Sequence, residues 1–265
     1  VFPQWREKNP DADILKGGVH VRSDFKDEMF EEGDTCIITR SNRSMVDELL
    51  QIYDRFHQAG CAMPAWAFLK AGATKMLDVA KIERYLKCAK GLCKLKIDGL
   101  NLVWDDFVDH CKEERKSTEM TLIGLVKAYG DALPLQIEQL KKYQVKCTKD
   151  AKILLSTAHG CKGLEFRCVL LGADFNLPTA GPGKLVSFEN LRKKKESLAR
   201  FYKDEMNLFY VAVTRAKQNL YAPQEVHAIF SQKFPEFIDP SATKIDGKEP
   251  DLEGEDEEQG SLMAS

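Results

Sequence analysis

Thr157-Ala-His-Gly-Cys-Lys-Gly-Leu-Glu-Phe166 lies between two apolar runs, Ile153-Leu154-Leu155 before it and Cys168-Val169-Leu170-Leu171 after it. A strand, a tight turn holding His, Lys, two glycines and a carboxylate, and then a second strand describe a nucleotide-handling edge of a buried parallel sheet. The strand candidates, 152–158 and 167–173, do not alternate apolar with polar residues, as expected of parallel strands covered on both faces. Ligands of open parallel sheets bind beyond the carboxyl ends of the strands, and Thr157, His159, Lys162 and Glu165 all follow such an end. Gly160 and Gly163 allow a sharp turn and a close approach of phosphate. Thr157 and His159 can donate to a nucleic-acid phosphate, and Glu165 can accept from ribose hydroxyls. The plainer alternative is a strand–turn–strand with a solvated His and an exposed Glu.

Some forty residues on, Asp204-Glu-Met-Asn-Leu-Phe-Tyr-Val-Ala-Val-Thr-Arg-Ala-Lys217 reads as a helix over 203–217. Met206, Phe209, Tyr210 and Val213 fall at i, i+3, i+4 and i+7 and predict one buried stripe. Arg215 would point away from it, about 200° around at ~100° per residue. A guanidinium held on a helix at a cleft suits the charge of a transferring phosphoryl group. The competing reading is a surface ion pair, with Asp204 or Glu205 as partner. A short strand is expected at 219–222.

Upstream, Thr35-Cys-Ile-Ile-Thr39 reads as a buried strand. Ser44-x-x-Asp47 signals a helix start, with Val46, Leu49, Leu50, Tyr53 and Phe56 at helical spacing. Val46-Asp47-Glu48 superficially resembles a magnesium-binding Asp-Glu pair but lies inside that helix, which excludes it. The spacing predicts helices around 79–86, 104–111 and 135–143, with no strand between Thr74 and Lys149. Trp66 and Phe68 read as core rather than as base-stacking platforms. The expected organisation is a domain start at 1–60, a helical insertion at 61–150, the rest of the α/β domain at 151–236 and an acidic, disordered tail at 237–265.

The 265 residues, 43% hydrophobic and 30% charged, suit a soluble globular protein. No apolar run approaches the ~20 residues of a membrane span, so no membrane partner is expected. The net charge is −2, but residues 246–265 alone hold eight acids and one Lys, which leaves the body at +5. A mildly basic body suits a phosphate-contacting protein. The basic run Arg192-Lys-Lys-Lys195 reads as a solvated helix face, with DNA contact or nuclear import as alternatives. The eight cysteines show no Cys-x-x-Cys spacing, which argues for a reducing, intracellular compartment and against a metal site.

Thr157 to Phe166 resembles motif V, and Asp204 to Lys217 motif VI, of the UvrD/Rep-type superfamily-1 DNA helicases. Thr39-Arg-Ser-Asn42 resembles an additional motif of the same RecA-like domain, and the three occur in the family's order. Motif VI is most similar to that of the F-box DNA helicase branch, which also has a short helical insertion. The resemblance covers about residues 33–222. It implies a second RecA-like motor domain, a parallel α/β sheet interrupted by the insertion. It further implies that Arg215 contacts the γ-phosphate and Glu165 the nucleotide ribose, and that Gly163 shapes the ATP-side turn. Arg40, Thr157 and His159 would contact single-stranded DNA, with Gly160 and Lys162 in the turn coupling the two ligands. Gly160-Cys161 stands where the family has Lys-Ala, Ala-Ala or Ser-Ala, which predicts extra freedom in that turn. A paired glycine usual near Leu69-Lys70 is missing, and no role is carried to that stretch.

The chain contains no Gly-x4-Gly-Lys-Ser/Thr phosphate loop. The expectation is therefore the C-terminal half of an ATP-dependent 3′–5′ DNA helicase acting in DNA repair or recombination, in the nucleus if eukaryotic. An upstream RecA-like domain would hold the phosphate loop and the ligands of Mg2+, and this fragment alone would be inactive. Partners would be single-stranded and duplex DNA and that upstream domain. The rival reading is a helicase remnant serving as a non-catalytic nucleic-acid-binding or interaction module.

Overall fold

The structure, a computed structural model, describes residues 18–178, 185–186, 190, 192–193 and 195–233. The acidic tail and Lys194 of the basic run lie outside them. Strands β1 (Val19–Val21), β2 (Thr35–Thr39), β3 (Trp66–Phe68), β6 (Ile153–Thr157), β7 (Phe166–Leu171) and β8 (Ala216–Ala222) form one sheet. Its order is β1-β8-β7-β2-β6-β3 and every pairing is parallel. This is the α/β, RecA-like architecture expected. All five residues of β2 are buried, which is why its Cys-Ile-Ile run carries no polar alternation.

The period-2 pleat divides the side chains between two cores. Ile37, Trp66, Phe68, Ile153, Leu155, Cys168 and Leu170 face one core, and Cys36, Ile38, Leu154, Val169 and Leu171 the other. Phe166 breaks the alternation and joins the second core, because the β7–β8 ladder has an irregularity between Phe166 and Cys168.

Helix α1 (Asn42–Gln58) packs Met45, Val46, Leu49, Leu50 and Ile52 into the first core. It begins earlier than Ser44 because Ser41 is its cap, the Ser41 hydroxyl accepting from Ser44 N at 3.2 Å. Asp47 and Glu48 do lie within this helix, the first facing Arg43 at 3.5 Å and the second bound to Arg22.

Above α1 sit α2 (Val79–Ala89), α3 (Trp104–Glu113), α4 (Ser117–Tyr129) and α5 (Leu133–Lys141). They share the first core, so the insertion is welded to the sheet; the Trp66 indole N–H donates to Leu140 O at 3.0 Å and ties β3 to α5. Two features depart from expectation. A hairpin, β4 (Leu95–Ile97) with β5 (Leu100–Leu102), interrupts the helices. Its turn residues Asp98 and Gly99 both have positive φ (48° and 83°), the type I′ geometry that Asp-Gly favours. Helix α4 also escaped the periodicity: residues 122–126 are all buried, so it has no polar face to mark it.

The second face carries α6 (Glu196–Val213) and α7 (Gln224–Lys233). α6 is shifted from the expected 203–217, and its buried face holds Glu205, Leu208, Phe209, Ala212 and Val213. Of the expected stripe, Phe209 and Val213 are buried in the second core, whereas Met206 is half-buried and Tyr210 is 43% exposed. Arg215 lies past the helix, in the turn before β8.

Candidate functional site

The loop after β6 does not stay at one end of the sheet. Thr157 closes β6 opposite Thr39 at the carboxyl edge, and Ala158 N donates to Thr39 O at 2.9 Å. Phe166 opens β7 opposite Ala216 at the amino edge, and Phe166 N donates to Arg215 O at 2.9 Å. Because both strands are parallel, residues 158–165 run back along the full length of the strands, about 17 Å for five strand residues. They begin as a helical turn, with Cys161 N bonded to Thr157 O at 3.2 Å and Leu164 N to Cys161 O at 3.0 Å. Ala158 and Cys161 are fully buried and pin the crossing to the second core. Glu165 is thus not beside Thr157 at the carboxyl end, as a simple strand–turn reading places it.

At the amino edge, Glu165 and Arg215 immediately precede the paired residues Phe166 and Ala216. Arg215 reaches neither Asp204 nor Glu205. Its Nε donates to Val211 O (2.9 Å), Nη1 to Leu164 O (2.8 Å) and Nη2 to Thr214 Oγ1 (3.0 Å). These bonds use three of the five N–H donors of a guanidinium, so two remain for an anion. Glu165 and Gly163 are exposed, and Gly163 has φ +86°, which the absent Cβ makes accessible.

At the carboxyl edge, Thr157 is half-buried, and His159 and Lys162 are exposed. Gly160 is no free hinge. Its N–H donates to Thr157 O at 2.8 Å, with Thr157 Oγ1 at 3.3 Å, and a Cβ there would collide with Ser156 Oγ. The extra freedom expected at this glycine is therefore replaced by a steric need for it.

Arg40 is committed to a partner. Nε and Nη2 donate to Glu205 at 2.6 and 2.7 Å, a bidentate pair between the end of β2 and α6. The Arg40 hydrogen bond, ahead of its charge, holds the Glu205 carboxyl below its ordinary range. Asp174, just past β7, accepts from the backbone N–H groups of Arg40 (2.9 Å) and Ser41 (2.8 Å). Asp174 escaped the sequence reading, and Glu205 entered it only as a candidate partner of Arg215; the two lie 134 and 165 positions from Arg40, beyond any spacing rule.

Cys161 lies mid-crossing, buried in the second core. Burial pushes its thiol pKa up, while the charge of Arg215, a backbone hydrogen bond and the charge of Lys70 oppose that rise.

The family model of the UvrD-like helicase C-terminal domain matches residues 70–224, more than half of the chain. The chain belongs to this family. Relatives of the UvrD-like chain include F-box DNA helicase 1 of Gallus gallus, 25% identical over 234 residues, or 83% of this chain and 22% of that protein. The F-box DNA helicase protein 1 of Schizosaccharomyces pombe is 28% identical over 44% of the chain and 13% of its own length. ATP-dependent DNA helicase PcrA of Bacillus subtilis is 31% identical over 56% of the chain and 18% of its own length. The UvrD-like chain thus spans about a fifth or less of these relatives. Among the described residues no helix is long and apolar enough to cross a membrane, and no group of three His, Cys, Asp or Glu side chains could hold a metal.

Proposed function

We propose that this UvrD-like domain is the second motor half of an ATP-dependent 3′–5′ DNA helicase. The observation that carries the reading is the crossing loop: one eight-residue segment joins Thr157 and His159 at the carboxyl edge to Glu165 and Arg215 at the amino edge. Thr157, His159 and the Arg40 region bind the DNA strand. Arg215 offers its two remaining N–H donors to the γ-phosphate of ATP, and Glu165 accepts from the ribose. Gly163, in its left-handed conformation, sets the turn between them, and Gly160 and Lys162 lie in the segment through which each edge feels the other. The phosphate loop and the ligands of Mg2+ come from another RecA-like domain, since this sequence holds no Gly-x4-Gly-Lys-Ser/Thr. The setting is intracellular, and nuclear in a eukaryote.

Closure of that other domain onto Arg215 would place a preorganised guanidinium on the charge that develops during phosphoryl transfer. Loss of such an arginine costs about 10³–10⁵-fold in hydrolysis, roughly 4–7 kcal/mol of barrier. In the complete protein, Arg215→Ala is expected to lower DNA-stimulated ATP turnover by that order while leaving oligonucleotide affinity within about twofold. Unchanged turnover would remove Arg215 from the role.

A further inference from the structure

The carboxyl edge holds a cleft whose lining extends beyond the motif residues Asn42, Thr157 and Gly160 to Lys70 and Thr118, to which no motif assigns a role. Its volume is about 280 Å³, and it opens between the end of β6, the start of α1, the segment after β3 and the start of α4. That is close to the lower end of the ~300–1,000 Å³ typical of ligand pockets, a size for one nucleotide unit rather than a large cofactor. Buried Met45, Met76 and Leu155 form its floor. Asn42, Lys70, Thr118 and Thr157 form a polar rim, and Gly160 closes one end. An apolar floor with a hydrogen-bonding, cationic rim fits a sugar and base below and a phosphodiester above.

The charges decide which residue meets the phosphate. Arg40, the cation that the motif points to, spends two donors on Glu205, and its charge is balanced there. Lys70 lines the cleft, is exposed, and makes no ion pair or hydrogen bond through its ammonium among the described residues. Thr118 comes from the insertion, so the insertion supplies one wall of the same cleft as Thr157.

We infer that this cleft is a single-strand subsite in which Lys70 is the principal phosphate-contacting cation and the insertion, through Thr118, forms the opposing wall. The inference rests on the single-strand-binding reading above and adds a residue, a wall and a ligand geometry to it. An occupant held this way is gripped by motor sheet and insertion together, so movement of the crossing loop at Gly160 would act directly on it.

The test is the salt dependence of oligothymidine binding to the full chain, read by fluorescence anisotropy. Each phosphate neutralised contributes about 0.7 to the slope of log K against log salt for single strands. Lys70→Ala is expected to reduce the slope by about that amount and to weaken mixed-sequence oligonucleotides equally, while Lys70→Arg retains the slope. Lys75→Ala removes an equal charge a few residues away, outside the cleft lining, and is expected to leave the slope unchanged. Thr118→Asp, which sets a like charge opposite the phosphate, is expected to weaken binding. If the chain binds no oligonucleotide at all, the functional reading itself falls. If it binds but Lys70→Ala leaves the slope intact, or Lys75→Ala lowers it as much, or Thr118→Asp has no effect, the subsite is overturned while that reading stands.

Discussion

At the scale of residues, the pair that organises the carboxyl edge is Arg40 with Glu205. Glu205 is 5% exposed, and a carboxylate there is tolerable only with a partner that meets both oxygens. Arg40→Ala would leave that charge with only the Asn176 amide, which donates at 3.4 Å, and a cost of about 3 kcal/mol is expected, at the lower end for buried pairs because Arg40 keeps some solvent contact. Urea unfolding at neutral pH measures it. The pH dependence has a definite sign. Glu205 has a lowered folded pKa, so its stabilisation is complete above the ordinary Glu value of about 4.3 and fades as pH falls through the lowered one. Glu205→Gln should flatten that part of the acid limb of stability; an unchanged acid limb would show that the pair contributes nothing there. A polar residue after Thr39 was legible in the sequence, but its partner was not, since only the closed sheet brings α6 over β2.

At the scale of elements, the sequence marked best those segments whose burial follows a simple pattern. β2, β6 and β7 announced themselves as apolar runs because parallel strands are covered on both faces. α4 was invisible for the same reason turned around, a helix buried over five consecutive residues. Gly124 in its middle looks like a helix breaker; a Cβ there would meet only the Arg43 guanidinium at 2.9 Å, the far end of a flexible, half-exposed side chain that can shift. The β4–β5 hairpin did carry a legible sign, Asp98-Gly99, hidden only because the surrounding residues read as helical. The end of α6 at Val213 moved Arg215 from a helix face into a turn. The crossing loop yields a prediction at this scale. Gly160→Ala forces a Cβ against Ser156 Oγ and within 3.2 Å of Thr157 O, and overpacking of this kind costs about 1–3 kcal/mol. Adding Ser156→Ala should recover part of the loss in thermal unfolding. A Gly160→Ala chain as stable as the original would mean that the turn relaxes freely.

At the scale of the whole molecule, the sheet separates the two edges to which the proposed DNA and ATP contacts are assigned, and a single segment spans them. Its carboxyl-edge end is anchored to β2 through Ala158, its middle is buried at Cys161, and its amino-edge end is tied to Arg215 through Leu164 and Phe166. A segment pinned at both ends and packed in the middle transmits displacement instead of absorbing it. The motifs were legible as a set of residue types, but their division between opposite edges was not, because that depends on where β6 ends and β7 begins. The insertion, read as an interruption, shares the sheet's first core and a wall of the carboxyl-edge cleft.

The most direct test is backbone hydrogen exchange over residues 158–166 in the complete protein, measured with oligothymidine alone and with a non-hydrolysable ATP analogue alone. The account predicts that either ligand by itself slows exchange at both ends, at Gly160 and Cys161 as well as at Leu164 and Phe166. Protection confined to Gly160 and Cys161 by DNA, and to Leu164 and Phe166 by nucleotide, would contradict it.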